Sequence, residues 1–265
     1  MAERRGDDGG IALATARILV SNDDGIAAPG LALLERIARE LAPDVWVVAP
    51  EQEQSGAGHS LTTHRPLRLR EIATRRYAVD GTPTDCVMLA VKHLLKDRAP
   101  DLVLSGINAG GNLGEDLTYS GTVAAAMEAS LLGIPAIALS QCYRDGQAIP
   151  WPTAAHFAPA VIRRLCALAW PEHALINVNF PAAAVPEVCG IAVTRQGKRA
   201  VADNLTQRFD PRGRPYYWIG PVREDGAAAP GTDLAAISER RVSVTPISLD
   251  LTDIPALAAL RKMFG

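Results

Sequence analysis

The stretch ARILVSNDDGIAAPGLALLERIARELAPDVWVVAP, residues 16 to 50, contains the unit from which the fold is predicted. Residues 17–21 form a short apolar run without polar alternation, which is typical of a strand buried on both faces. Pro29 stands where a helix would begin, and apolar residues follow at helical spacing to residue 42. A second apolar run, residues 44–50, predicts the next strand. The unit therefore predicts a strand, a helix and a further strand.

The same alternation continues through the first two-thirds of the chain. Apolar strand-like runs are separated by helical patterns, which predicts an α/β fold with a mostly parallel sheet and helices on both faces, a Rossmann-like three-layer core. Further strands are predicted at 101–107, 135–140 and 175–181, and further helices at 83–95, 121–133 and 154–170.

The pattern changes after about residue 188. Asp210-Pro211-Arg212-Gly213 is a turn signal between two strand-like segments, which predicts a hairpin. A later strand at 240–252 and a closing helix at 255–264 complete the chain. We expect a loose N-terminal tail at 1–16 and a single domain at 17–265, divided into a core at 17–187 and a β-rich C-terminal extension at 188–265.

Composition bounds the class of protein. The chain has 265 residues, is 48% hydrophobic and has a net charge of −2, so bulk charge does not favour nucleic-acid or membrane partners. Its four cysteines are far apart and form no CxxC pair, which favours a reducing compartment over a zinc site or a disulfide framework. The apolar stretch before Arg17 is too short for a typical signal peptide. We therefore expect a cytoplasmic protein.

Two adjacent carboxylates follow the first predicted strand. Asp23 and Asp24 could lie in an ordinary solvated turn. At the end of a buried strand, however, two like charges repel each other unless a cation neutralises them. Since neither cysteine nor paired histidine lies nearby, the cation would be a hard one such as Mg²⁺ or Mn²⁺.

Two more loops are expected at the same sheet edge, because the carboxyl ends of parallel strands share one side. They are EQEQSGAGHS, residues 51–60, and NAGGNLGEDLTYSGT, residues 108–122. The second ends at Ser120, Gly121 and Thr122, where a helix begins. A helix start can bind a phosphate through its unpaired N–H groups, or the hydroxyls can simply cap the helix. Metal-assisted phosphoryl hydrolysis is the leading reaction class.

Other motifs carry weaker signals. The glycines at the end of the strand predicted at 101–107 and in the loop after it match neither GxGxxG nor a P-loop, which argues against an NAD(P)-dependent oxidoreductase. His59 could act as a general acid or could be structural. Ser55 and Ser60 lack a G-x-S-x-G context, so a serine hydrolase is disfavoured.

Five segments, quoted in order, resemble one known family. They are ILVSNDDGIAAPG, VVAPEQEQSGAGHSLT, VDGTPTDCV, PDLVLSGINAGGNLGEDLTYSGTVAAAMEA and YYWIGP…GTDLAAISERRVSVTPISLDLT. Together they span about Arg17 to Thr252 and are similar to the stationary-phase survival protein family, SurE. The residue before the loop serine, often Arg in that family, is Gln54 here.

The resemblance implies a divalent-metal-dependent nucleotidase for nucleoside 5′- and 3′-monophosphates, with short polyphosphate as a further substrate. It implies one Mg²⁺ or Mn²⁺ per subunit, and a homodimer or homotetramer built partly by the C-terminal hairpin. The implied metal ligands are Asp23, Asp24, Ser55 and Asn108, the two aspartates being the catalytic pair. The implied phosphate contacts are Asn112, Ser120, Gly121 and Thr122.

Two alternatives remain open from the residues. The same scaffold could be a non-catalytic regulator that binds a nucleotide or a metal. If catalysis occurs, either aspartate could act as a nucleophile rather than only as a metal ligand.

Overall fold

The computed structural model describes residues 9–171, 173–201, 205–219, 223–224 and 228–265. The strands are β1 (Arg17–Ser21), β2 (Asp44–Pro50), β3 (Leu69–Ala73), β4 (Arg76–Val79), β5 (Leu102–Ala109), β6 (Ala136–Gln141), β7 (Ala174–Phe180), β8 (Ile191–Val193), β9 (Ala200–Val201), β10 (Leu205–Phe209), β11 (Pro215–Ile219), β12 (Arg223–Glu224) and β13 (Val242–Ser248). The α-helices are α1 (Pro29–Leu41), α2 (Pro83–Leu89), α3 (Gly121–Leu131), α4 (Trp151–Cys166), α5 (Asp233–Ser238) and α6 (Ile254–Phe264).

A nine-stranded sheet of order β3-β4-β2-β1-β5-β6-β7-β13-β8 forms the centre of the protein. The strands from β4 to β7 in that order are parallel, whereas β3 pairs antiparallel with β4 and β13 pairs antiparallel with β7. The predicted α/β class with a mostly parallel sheet is confirmed. The β3–β4 hairpin was not predicted, because its exposed edge strand carries charged residues rather than an apolar run.

Helices cover both faces of the sheet. In β1, Ile18 and Val20 pack into an apolar layer with α1 and α4, whereas Leu19 packs into a second layer with α2 and α3. A uniformly apolar strand is therefore explained by alternate side chains entering two different cores. Full burial of each such side chain contributes about 1.5–3 kcal/mol.

The strand order brings the loop after β1 next to the carboxyl end of β5. From β1 the chain moves to β2 on one side, while β5 pairs with β1 on the other side. The order therefore reverses between β1 and β5, and in an open α/β sheet a ligand crevice forms at the carboxyl ends of such a strand pair.

The C-terminal region contributes to the sheet and also leaves it. The predicted hairpin is present as β10 and β11, joined through the Asp210–Gly213 turn. β8 and β13, which both follow residue 187, belong to the central sheet, and the domain boundary near that residue stays a prediction. Residues 1–8 of the predicted tail lie outside the described residues, while the Ile11 amide donates to the Cys166 carbonyl at 2.7 Å.

Gly30, at the start of α1, allows this helix to lie against the end of β5. A Cβ at this position would overlap the carbonyl oxygen of Ile107. Because both groups belong to backbone in a close-packed core, Gly30→Ala is expected to destabilise the fold by about 3 kcal/mol or more. Urea unfolding would measure the loss.

The matched control is Ala32→Gly, the reverse exchange at an exposed position of the same helix. It is expected to cost only about 1 kcal/mol, the propensity difference between the two residues. A Gly30→Ala protein as stable as this control would contradict the proposed packing.

Candidate metal and phosphate site

A cavity of about 500 Å³ opens at the carboxyl ends of β1 and β5. Its lining comes from four chain segments: the β1–α1 loop with the start of α1, the loop after β2, the segment from β5 to α3, and the start of α4. The lining residues are Asp23, Asp24, Ala28, Pro29, Gly30, Glu53, Ser55, Gly56, Asn108, Ala109, Gly111, Asn112, Asp116, Tyr119, Ser120 and Trp151. The three loops expected at one sheet edge thus meet there.

Asp23 is held deep in this cavity by α3. Its side chain is 4% exposed, and the Thr122 hydroxyl donates a hydrogen bond to Asp23 Oδ1. The Asp23 carbonyl oxygen also accepts from the Gln54 amide at 2.8 Å, which ties the β1 loop to the loop after β2. A Cβ on Gly121 would lie 2.6 Å from Asp23 Cβ, so only glycine permits this approach of helix and carboxylate.

Asp24 lies nearer the surface and joins the same loop to β5. Its Oδ2 accepts from the Ala109 amide at 3.2 Å. The two carboxylates therefore receive hydrogen bonds from different elements, Asp23 from α3 and Asp24 from the end of β5. Each carboxylate is therefore held by an element other than the loop that carries it.

The electrostatics of the pair are unfavourable without a cation. Burial raises the pKa of Asp23, while burial and the neighbouring Asp23 charge raise the pKa of Asp24 to about 6. Glu53 adds a smaller repulsion that raises both pKa values. Within the described ranges, no Lys or Arg forms an ion pair with either aspartate.

Asp24→Asn tests this electrostatic strain through stability. A carboxyl whose pKa is higher in the folded state than in the unfolded state lowers the free energy of unfolding as pH rises through that interval. The interval here runs from 3.8 to about 6. Such a shift corresponds to about 3 kcal/mol, which partial exposure screens to about 1–2 kcal/mol.

The metal-free Asp24→Asn protein should therefore be about 1–2 kcal/mol more stable than wild type at pH 7.5 and nearly equal to it at pH 4. Urea unfolding in EDTA at both pH values measures this. An equal difference at the two pH values would show that charge is not the cause.

Ser55 and Asn108 complete the predicted donor set at the cavity wall. The Ser55 hydroxyl donates to Glu53 Oε1 at 2.8 Å, and Asn108 Nδ2 donates to the Gly110 carbonyl at 2.9 Å. Both bonds use donors, so they are compatible with Ser55 Oγ and Asn108 Oδ1 binding a cation. Two carboxylates with two neutral oxygens form a hard donor set, which fits Mg²⁺ or Mn²⁺.

Of the four predicted donors, only Asp23 and Asp24 carry a charge; Ser55 and Asn108 offer neutral oxygens. The part of the chain that the structure describes has no group of three or more His, Cys, Asp or Glu side chains arranged for a metal ion. A metal ion bound here would therefore need neutral oxygens as well as the carboxylate pair.

Two hydroxyls at the N-terminus of α3 already form hydrogen bonds within the protein. The Ser120 hydroxyl accepts from the Val123 amide at 3.0 Å, and the buried Thr122 hydroxyl donates to Asp23. Ser120 and Asn112 line the cavity, while Gly121 and Thr122 are placed beside Asp23. Their predicted contacts with phosphate stay predictions, and the structure adds the function of Thr122 in holding Asp23.

The cavity also contains residues that the sequence motifs do not indicate. Glu53 lies two positions before Ser55 and could have been found from that loop, whereas Trp151 comes from α4 without any motif. Asp116 also lines the cavity, and its Oδ2 lies 3.7 Å from Arg199 Nη2.

His59 has a partner outside the carboxylate pair. Its Nε2 lies 3.0 Å from Glu128 Oε2 on α3. His59 is not among the described residues that line the cavity. The structural interpretation of His59 is therefore favoured over the general acid.

The fold and the site define an α/β protein with an aspartate pair and a helix N-terminus at the point where the strand order reverses. A family model described as Survival protein SurE matches residues 18–203. The chain belongs to the SurE family, as the five motifs indicate.

Two curated relatives match over nearly their whole length. A protein of Paramagnetospirillum magneticum named 5′-nucleotidase SurE is 60% identical over 248 residues, covering 94% of this chain and 95% of the relative. A protein of Rhodospirillum rubrum with the same name is 56% identical, covering 95% and 97%. The crystal structure of the SurE protein from Aquifex aeolicus superposes with a TM-score of 0.82 at 44% identity, covering 93% of this chain and 99% of that one.

Proposed function

We propose that this chain is a 5′-nucleotidase: a metal-dependent phosphomonoesterase that hydrolyses nucleoside 5′- and 3′-monophosphates to nucleoside and inorganic phosphate. Short-chain polyphosphate is a further proposed substrate. The observation that carries the proposal is the Asp23–Asp24 pair, buried at Asp23 and half-buried at Asp24, with raised pKa values, in a cavity beside a helix N-terminus. The relatives named 5′-nucleotidase support the substrate class.

One divalent cation per subunit, Mg²⁺ or Mn²⁺, would be held by Asp23, Asp24, Ser55 and Asn108. Such a cation supplies charge neutralisation at the phosphate and a more acidic bound water. The four donors come from the β1–α1 loop, the loop after β2 and the end of β5, so the fold itself preorganises the site.

The residues of the chain prepare the cavity for a phosphate ester. Thr122 fixes the orientation of Asp23, and the Ala109 amide fixes that of Asp24. Asn112 and Ser120 form the wall where the phosphate oxygens would lie, and donors placed in advance stabilise developing charge without reorganisation. Both aspartates act mainly as metal ligands, which leaves an aspartyl-phosphate route as the less favoured one.

Phosphate release from AMP, measured with Mg²⁺ or Mn²⁺ and again with EDTA, tests the proposal. We expect release that requires the metal and stops in EDTA. Binding of AMP without release would identify the non-catalytic regulator instead. Release that is insensitive to EDTA would contradict the metal-dependent mechanism.

Thr122→Val tests the function of the α3 start. The change removes the hydroxyl that donates to Asp23 while keeping the side-chain shape. Loss of such an outer partner of a metal ligand typically costs about 10–100-fold, so we expect kcat/KM for AMP to fall within that range. Thr122→Ser, which keeps the hydroxyl, should retain activity within about threefold. Equal losses in both variants would contradict the assigned hydrogen bond.

The proposed assembly is a homodimer or homotetramer in the cytoplasm, without nucleic-acid or membrane partners. The β10–β11 hairpin and α6 expose large apolar side chains, which favours contact with a second copy. These residues are Leu205, Phe209, Tyr216, Tyr217, Trp218, Ile219, Ile254, Leu260, Met263 and Phe264. Light scattering would give the number of copies.

No helix within the described ranges is both long and apolar enough to cross a bilayer.

A further inference from the structure

Strand β7 contains two asparagines where its neighbours along the strand are apolar. Asn177 and Asn179 are fully buried and alternate with Ile176, Val178 and Phe180, which pack into the layer of α1 and α4. The asparagine side chains therefore lie on the opposite face of the sheet. Burying an amide costs about 1–3 kcal/mol unless it is hydrogen-bonded, so the partners of these amides matter.

Both amides bind the backbone of one cavity residue, Asn112. Asn179 Oδ1 accepts from the Asn112 amide at 2.8 Å, and Asn179 Nδ2 donates to the Asn112 carbonyl at 3.0 Å. Asn177 Nδ2 donates to the same carbonyl at 2.9 Å. Three hydrogen bonds from a single strand thus fix both polar backbone atoms of Asn112.

The side chain of Asn112 is fixed from the neighbouring strand. Its Nδ2 donates to Ser140 Oγ at 2.8 Å, and Ser140 on β6 pairs in register with Asn179 on β7. Two residues further along the loop, the Gly114 amide donates to Asp233 Oδ2 at 2.9 Å. The loop that forms one cavity wall is therefore anchored along its length to the sheet and to α5.

We propose that Asn179, supported by Asn177, is a positioning residue that fixes Asn112 at the phosphate end of the cavity. This inference rests on the proposed function, because that function assigns Asn112 a contact with the substrate phosphate. Polar side chains in a buried strand break the local apolar pattern, and such breaks mark functional sites. An apolar pair would fill the same space without the desolvation cost, but it would leave the backbone N–H and carbonyl of Asn112 without these partners.

The expected size follows from the geometry of catalysis. Displacing a reacting group by about 1 Å costs on the order of 100-fold in rate, and loss of an outer supporting side chain about 10–100-fold. Asn179→Ala removes two of the three bonds to the Asn112 backbone. We expect kcat/KM for AMP to fall about 30-fold, while the Kd for Mn²⁺ stays within about threefold of wild type.

A double-mutant cycle separates positioning from general destabilisation. If Asn179 acts through Asn112, removing both side chains costs no more than removing that of Asn112 alone. We expect about a 100-fold loss for Asn112→Ala and the same loss for Asn112→Ala with Asn179→Ala, instead of about 3,000-fold. Losses that multiply would overturn the proposal, as would an Asn112→Ala protein with wild-type activity.

Thr245→Val is the matched control. Thr245 is fully buried on β13 opposite Asn177, and its hydroxyl bonds Thr194 rather than Asn112. We expect this variant to lose thermal stability to a similar degree but to keep kcat/KM within about threefold. If Asn179→Ala does not fold, Asn177→Ala removes one bond only and enters the same cycle, with an expected loss of about fivefold.

Binding of inorganic phosphate in the presence of Mn²⁺ provides a readout that needs no turnover. We expect Asn179→Ala to weaken this binding about 10-fold or more, with the same non-additivity toward Asn112→Ala. A wild-type protein that binds phosphate but releases none from AMP would refute the proposed nucleotidase and still test Asn179. Unchanged phosphate binding in Asn179→Ala would overturn the positioning function itself.

Discussion

Asp23→Asn is expected to lower kcat/KM for AMP by about 1,000-fold while leaving the metal-free protein as stable as wild type or more so. The carboxylate is buried, and it is the member of the pair that α3 holds through Thr122. Replacing it with an amide removes a charge from the proposed metal site, and the expected loss matches the several kcal/mol that metal-ion catalysis supplies. Burial raises the pKa of Asp23, so removing its charge also removes an unfavourable term from the folded state.

The opposite behaviour is expected at Asp44, which provides the control. Asp44 forms ion pairs with Arg17 and Arg75 at the start of β2, at the other end of the strand from the cavity. Asp44→Asn should lower the melting temperature and leave kcat/KM within about twofold. An Asp23→Asn protein that keeps metal-dependent turnover would refute the ligand assignment.

Gly121→Ala is the second change for which we expect a large effect. The added Cβ would lie 2.6 Å from Asp23 Cβ and 2.9 Å from its Oδ2, closer than packed atoms allow. Either Asp23 or the start of α3 must move, and a displacement of about 1 Å at the reacting centre costs on the order of 100-fold. We expect kcat/KM for AMP to fall by about that factor and the Kd for Mn²⁺ to rise about 10-fold or more.

Alanine is the better helix former, so the loss cannot be attributed to helix propensity. Leu131→Ala, at the exposed end of the same helix, controls for a general change in α3 and should keep activity within about twofold. A Gly121→Ala protein with wild-type metal affinity would show that Asp23 is not held where the cavity requires it.

Much of the fold could be predicted because its signals are local. The apolar run at residues 17–21 and the helical spacing after Pro29 each identify their element, and the structure has β1 and α1 there. Convergence of the loops after β1, β2 and β5 follows from the rule that parallel strands end on one side. The α4 helix, in contrast, begins at Trp151, three residues before the predicted start, because its first three residues, Trp-Pro-Thr, carry no apolar helical spacing.

The parts of the site that could not be predicted depend on contacts between distant segments. Thr122 looked like a cap or a phosphate ligand, and only its position beside a residue 99 positions away shows that it holds Asp23. Trp151 reaches the cavity from α4, and sequence spacing carries no information about that approach. Asn179 lies in a strand that the sequence predicts, but its partner Asn112 is 67 positions away, and nothing in the sequence connects the two.

Anomalous diffraction from crystals of the wild-type protein soaked in Mn²⁺ tests the central claim most directly. We expect one strong peak per subunit in the cavity, bound by carboxylate oxygens of both Asp23 and Asp24 and in contact with Ser55 and Asn108. The peak should be absent from crystals of Asp23→Asn. A peak bound by other residues, or a cavity without a peak at saturating Mn²⁺, would contradict the account.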